Sequence, residues 1–178
     1  MRATRGFTLI EALVALVLIA ILLGLAVPAL SNASEAVHNG SAQAALGGSI
    51  LGAVSHSASA GAEVVLCPGD ADGCRSTIDW SRGWIAFADI DGDRQRDPVD
   101  TLLKRVDALG GDVHLRSTPG RTRLVFQPNG GNAGSNVTFT LCDGRDMEKA
   151  MTLVLANNGR LRSGSPTEAA ARACLAEM

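Results

Sequence analysis

Phe7-Thr8-Leu9-Ile10-Glu11 opens a stretch that stays almost wholly apolar to Leu30, with Glu11 as its one charge and Pro28 near its end. Arg2, Arg5 and Gly6 precede it. A helix over residues 7–30 would run about 36 Å, enough to cross a hydrocarbon core of about 30 Å. The basic flank predicts a cytoplasmic N-terminus, with the rest of the chain beyond the membrane. A carboxylate in hydrocarbon must protonate or find a cation, so an acid placed there is a functional feature by default. An ordinary secretory signal, cut near Ser31-Asn32-Ala33, is the plainer alternative. Glu11 inside the apolar run, and the length of that run, speak against it.

The chain has 178 residues, of which 148 follow Leu30, enough for one domain with its own core. With 20 glycines, no tyrosine and 3% aromatics, the composition suits a turn-rich β domain better than a helical bundle. Cys67, Cys74, Cys142 and Cys174 all lie past the apolar stretch, on the side where disulfides persist. Cys67 and Cys74 flank a Pro-Gly-Asp-Ala-Asp-Gly turn and are expected to pair. Cys142 then takes Cys174 and ties the tail to the domain. The spacings are not those of a zinc site, and no histidine adjoins any of the four.

Net charge is −2, which by itself argues against a nucleic-acid protein, but its distribution is uneven. Residues 35–112 hold 12 acids and 6 bases, whereas residues 113–178 hold 5 acids and 8 bases.

Residues 29–60, rich in Ala, Ser and Gly, read as a continuation of the first helix. Val37, Ala44, Ala45, Ile50, Leu51 and Val54 form a sparse apolar stripe. Runs bounded by turn residues follow at 62–67, 83–89, 101–107, 112–116, 122–127, 136–142, 149–156 and 160–162. Val137, Phe139 and Leu141 alternate with Thr138 and Thr140, a half-buried strand pattern. Asn158-Gly159 predicts a two-residue hairpin between the last two strands. The tail from Pro166 reads as a short helix or an irregular segment.

The segment from Arg2 to the apolar helix resembles the leader of type IV prepilins and type II secretion pseudopilins. The resemblance implies cleavage between Gly6 and Phe7 by a prepilin peptidase and methylation of the new Phe7 amine. Glu11 then becomes the fifth mature residue and Pro28 a helix-kinking proline. The amine of Phe7, on its own or a neighbouring subunit, is the cation expected to meet Glu11. Further on, Cys67-Pro68, Asp79-Trp80-Ser81-Arg82-Gly83-Trp84, Thr101-Leu102-Leu103-Lys104-Arg105, Phe139-Thr140-Leu141-Cys142-Asp143 and Asn158-Gly159-Arg160-Leu161-Arg162 resemble the GspH/FimT domain. Cys142-Asp143 with a late cysteine is more similar to FimT-type minor pilins than to secretion-system members.

The resemblance implies an α+β, type IV pilin-like fold, a long N-terminal helix packed on antiparallel sheet. Its divisions are a leader (1–6), a transmembrane and filament-core helix (7–30), a periplasmic continuation (31–60) and a β-rich domain (61–178). It implies an inner-membrane protein whose domain is periplasmic and then carried on a pilus. Its expected partners are the prepilin peptidase, other major and minor pilins, the inner membrane and double-stranded DNA. FimT-type pilins are associated with DNA capture in natural transformation through a Gly-Arg-x-Arg element, which Gly159-Arg160-Leu161-Arg162 matches. A pseudopilin contacting secreted proteins is the rival within the family. A membrane-anchored envelope protein outside any filament is the distant one.

Residues two apart on a strand share a face, so Arg160 and Arg162 project together while Leu161 turns inward. Arg121 and Arg123 form a second such pair, and Arg145 and Lys149 lie on the connection into a neighbouring strand. Such a set could hold phosphates. The lack of aromatics on these faces argues against base stacking, leaving sequence-independent, salt-sensitive binding. Charges at a strand edge also discourage aggregation, the blander account of the same residues.

Residues 89–100 place Asp at positions one, three, five, nine and twelve of a calcium-type loop, but Arg94 holds the sixth, where such a loop needs glycine. The segment reads as a hairpin loop with no metal assigned, and a calcium loop is the lesser alternative. His38, His56 and His114 are isolated and no nucleophile motif occurs, so neither catalysis nor a cofactor is expected.

Overall fold

The computed structural model describes residues 8–134 and 136–176. Gly6 and Phe7, the expected cleavage and methylation pair, lie outside the described residues. The elements in order are α1 (Leu9–Ala60), β1 (Glu63–Asp70), β2 (Gly73–Cys74), β3 (Trp84–Asp89), β4 (Thr101–Val106), β5 (His114–Ser117), β6 (Leu124–Phe126), β7 (Val137–Cys142), a 3-10 turn (Met147–Lys149), β8 (Met151–Leu155), β9 (Leu161–Gly164) and α2 (Glu168–Leu175). The chain divides into two compact units, Met1–Ser34 and Glu35–Met178.

In the first unit the helix begins after Thr8, whose hydroxyl accepts the Glu11 N–H at 3.3 Å. Thr8-Leu9-Ile10-Glu11 is a capping-box sequence, and Glu11 also puts a negative charge at the positive end of the helix. Pro28 lies inside α1. The apolar side chains of this unit are exposed, and the helix is long and apolar enough to cross a membrane by length and composition.

In the second unit α1 buries Asn39, Ala42, Leu46, Ser49, Ile50, Ala53 and Ser57, one helical face at intervals of three and four. This corrects the sequence stripe: Val37 and Leu51 are 70% and 63% exposed. Ala44 is also exposed, Ala45 and Val54 are half-buried, and only Ile50 of that set is buried. The buried face sets Leu46 and Ile50 among small and polar residues, and the polar ones have partners in the sheets. Trp84 Nε1 donates to Ser49 Oγ at 3.0 Å, and Ser57 Oγ donates to the Gln127 carbonyl at 3.2 Å.

All strand pairings are antiparallel. One sheet has the order β2-β1-β3-β4, with β6 also paired to β1; the other has the order β5-β7-β8-β9. The main core joins Leu46 and Ile50 of α1 to Val64, Leu66, Trp80, Trp84, Phe126, Phe139, Leu141 and Leu155. Trp80 stands edge-on to Phe139, with ring centroids 5.0 Å apart. A second cluster, Val65, Cys67, Ile85, Phe87 and Val125, lies on the other face of the first sheet. β1 and β3 are therefore buried on both faces, which explains their unbroken apolar runs. Two disulfides form, Cys67–Cys74 and Cys142–Cys174. The tail is helical: Thr167 caps α2 by accepting the Ala170 N–H.

Candidate nucleic-acid interface

β9 is the edge strand of the four-stranded sheet. The turn leading into it is a three-residue loop, not the expected two-residue one. Gly159 N–H donates to the Ala156 carbonyl at 3.0 Å, and Ala156 N–H donates to the Arg160 carbonyl at 2.9 Å. Gly159 takes the left-handed conformation, φ 77°, that closes such a loop. In the resulting register Leu161 faces Leu155 and joins the core, while Arg162 stands opposite Val154. Arg160 and Arg162 are both exposed.

The remaining basic candidates do not all join them. Arg121 and Arg123 precede β6, a strand of the first sheet. Arg123 Nη1 donates to the Arg94 carbonyl at 3.0 Å, turning that side chain toward the acidic loop. Lys149 is exposed at the end of the 3-10 turn.

Arg145 has a different employment. Its Nε and Nη2 donate to Asp143 Oδ1 and Oδ2 at 2.8 and 2.7 Å. Asp143 is fully buried and also accepts from Asn39 Nδ2 at 2.6 Å. Burial pushes the Asp143 carboxyl up, but the hydrogen bonds from Arg145 and Asn39 outweigh it and hold its pKa below the usual value. The same carboxylate raises the Arg145 pKa. Asp143 thus ties the end of β7 to α1 through Asn39, and Arg145 is held on that carboxylate rather than beside Arg160 and Arg162. Asn39–Asp143–Arg145 is the network that motif reading missed, although an acid directly after a buried strand cysteine, with an arginine two residues on, was its signal.

The loop between β3 and β4 is a hairpin connection as expected. Asp89, Asp91 and Asp93 bring one ligand oxygen each to within 4.8 Å of one another, the grouping among the described residues that could hold a cation. Their oxygens also accept loop amides, Gly92 and Arg94 on Asp89 and Asp93 on Asp91. Arg94, φ 59°, takes the left-handed conformation at the sixth position, and its guanidinium pairs with Glu63 at 3.0 Å. That hydrogen bond lowers the Glu63 pKa. Burial raises that of Asp89. No histidine enters a metal-binding group among the described residues.

Charge is segregated between the sheets. Residues 113–142 and 149–167 contain no Asp or Glu, and these spans supply every strand of the four-stranded sheet.

A long helix on antiparallel sheets, its first part apolar and exposed, defines a pilin-like protein whose N-terminus fits anchoring in the inner membrane. Residues 42–159 match the family model described as type II transport protein GspH, and residues 1–27 match the prokaryotic N-terminal methylation motif. The chain belongs to the GspH family, that of pilins and pseudopilins, which are structural components. The match to the family domain ends at Gly159, immediately before Arg160 and Arg162. A comparison with curated proteins gave no match. Among solved structures, the type IV minor pilin FimU of Pseudomonas aeruginosa is similar at a TM-score of 0.56 and 14% identity, over 78% of this chain and 92% of that one. The minor pseudopilin EpsH from the Type 2 Secretion System of Vibrio cholerae is similar at 0.46 and 14%, over 66% and 88%. At such identities the likeness is one of fold alone.

Proposed function

We propose that this chain is a minor type IV pilin, cut between Gly6 and Phe7, anchored with its N-terminus cytoplasmic, and assembled into a pilus that holds double-stranded DNA for uptake. The observation that carries the DNA reading is a sheet whose strands hold no carboxylate, with Arg162 exposed on its edge strand and Arg160 exposed in the turn that leads into it. Guanidinium pairs of this kind bind phosphates without reading sequence. Binding weakens as salt rises, because each neutralised phosphate releases counterions. The full chain in non-ionic detergent should shift a labelled duplex in a gel at low salt, and Arg160→Gln with Arg162→Gln should abolish the shift. Binding retained by the double variant would overturn the assignment.

For assembly, Glu11 pairs with the N-methylated Phe7 amine and sets the stagger between neighbouring subunits, with Pro28 bending the helix beyond it. Mass spectrometry of the mature chain should find methyl-phenylalanine at its start, and Glu11→Ala should reduce recovery in sheared pili. The family description favours a second reading, a minor pseudopilin contacting secreted protein. A wild-type chain that co-purifies with secretion components and leaves duplex DNA unshifted would establish it.

A further inference from the structure

We infer that the DNA seat continues from Arg160 over two packed loops, residues 127–136 between β6 and β7 and residues 156–160 between β8 and β9, where the outward amides of Asn129, Asn136 and Asn158 donate hydrogen bonds to the phosphodiester backbone. The inference rests on the DNA reading above.

The two loops meet through their backbones. Asn132 N–H donates to the Asn157 carbonyl at 3.0 Å, and Asn157 N–H donates to Asn136 Oδ1 at 3.0 Å. Gly159 lies so close to the first loop that a Cβ there would come within 3.0 Å of the Gly130 carbonyl. Ser57 of α1 holds the first loop in turn, donating to the Gln127 carbonyl at 3.2 Å. Asn129, Asn136, Asn158 and Arg160 are all exposed. Neither loop contains an acid. Where the first loop reaches β1, Gln127 Nε2 donates to Glu63 at 3.4 Å, and that carboxylate is already paired with Arg94.

Each of these carboxamides has its oxygen committed. Asn129 Oδ1 accepts the Gly131 N–H at 2.9 Å, Asn158 Oδ1 accepts the Arg160 N–H at 3.3 Å, and Asn136 Oδ1 accepts from Asn157 as above. Their Nδ2 groups have no partner among the described residues, so each side chain keeps its N–H donors for a ligand. The turns themselves do not ask for an amide. A side-chain oxygen accepting the N–H two residues on is supplied equally by Asn or Asp. Asp70, Asp79, Asp91, Asp93, Asp97 and Asp143 make that turn elsewhere in the domain. Among the described residues, asparagine makes it only in the two loops beside Arg160. There the turn is kept while the outward group changes from a charged acceptor to a donor. Asparagine and arginine are among the groups that contact DNA phosphates, and such contacts position a protein without reading sequence. A neutral donor displaces no counterion, so it adds affinity without adding salt dependence.

The test is fluorescence anisotropy of the full chain in detergent with a labelled duplex of about 30 bp, across a salt series. Asn129→Ser with Asn158→Ser keeps an oxygen for each turn and removes both amides. Its affinity should fall about tenfold with the log–log salt slope unchanged. Arg160→Gln, by contrast, should lower the slope by about 1. A loop that merely came apart would displace Arg160 and lower the slope as well. Asn158→Asp keeps its turn and puts an acceptor where the donor stood, and should cost more than about tenfold. Gln95→Glu, the same change of charge on the exposed loop between β3 and β4, should cost less than about twofold. If the serine variant binds like wild type, or loses slope together with affinity, the asparagines are turn formers only and the DNA reading stands without them. If wild type leaves the duplex unbound at low salt, the DNA reading falls and the amide seat falls with it.

Discussion

Asp143→Asn removes one negative charge from a fully buried position and leaves the Arg145 guanidinium facing a neutral amide. The carboxylate accepts three side-chain hydrogen bonds of 2.6 to 2.8 Å, two of them from a cation. Breaking a buried ion pair at one partner costs about 3–5 kcal/mol. The Arg145 side chain is 18% exposed and recovers some hydration once unpaired, which puts the cost at the lower end, about 3 kcal/mol. For a domain of this size each kcal/mol lowers Tm by about 2–4 °C, so a loss of about 10 °C is expected in circular-dichroism melts of the full chain in detergent. Arg145→Gln should cost at least as much, because Asp143 has no exposure with which to regain water. The double variant should lose clearly less than the two singles together, since the second change removes the group that the first stranded. Acid adds a check. A carboxyl whose folded pKa is depressed stabilises above its unfolded pKa of about 3.9, and that stability is lost as pH falls through the folded value. The acid limb of a stability–pH curve should therefore flatten in Asp143→Asn. A Tm loss under about 3 °C with an unchanged acid limb would show that Asn39 and the surrounding packing, not the ion pair, hold this end of β7 to α1.

The two disulfides should differ in worth. Cys142–Cys174 spans 32 positions and Cys67–Cys74 spans 7, and loop-closure entropy puts them at about 3.7 and about 2.5 kcal/mol. Paired Cys→Ser substitutions compared by Tm would refute that account if the order reversed. The corrected face of α1 is checked by Leu46→Ala, a fully buried side chain expected to cost about 3 kcal/mol. Val37→Ser should fall within about 0.5 kcal/mol of wild type. A reversed ranking would restore the stripe read from sequence.

Much of the fold was legible because its signals are local. The alternation of Val137, Phe139 and Leu141 and the spacing of the four cysteines speak about neighbours in the chain. The helix face was not legible. A stripe is sought in large apolar residues, and this one has only Leu46 and Ile50 among Asn39, Ala42, Ser49, Ala53 and Ser57. β2 is two residues long, too short for any period to show. Arg145 was misread for a related reason. A charged residue in a connection looks like surface until the buried carboxylate it serves is seen. The excess of base late in the chain was visible, but that the strands of the four-stranded sheet carry Arg116 and Arg162 and no acid became visible only with strand order.

Arg160 and Arg162 stand on an unpaired strand edge, where charge also prevents strands of different molecules from pairing, and the two roles can be separated. Either sign of charge protects an edge, but only a positive one holds phosphate. Arg160→Glu with Arg162→Glu should therefore remain as monodisperse as wild type in light scattering while losing duplex binding at every salt concentration. Arg160→Gln with Arg162→Gln should lose binding and also tend to associate. Were the arginines edge guards alone, charge reversal would leave duplex binding as it was, and the acid-free sheet would need another explanation.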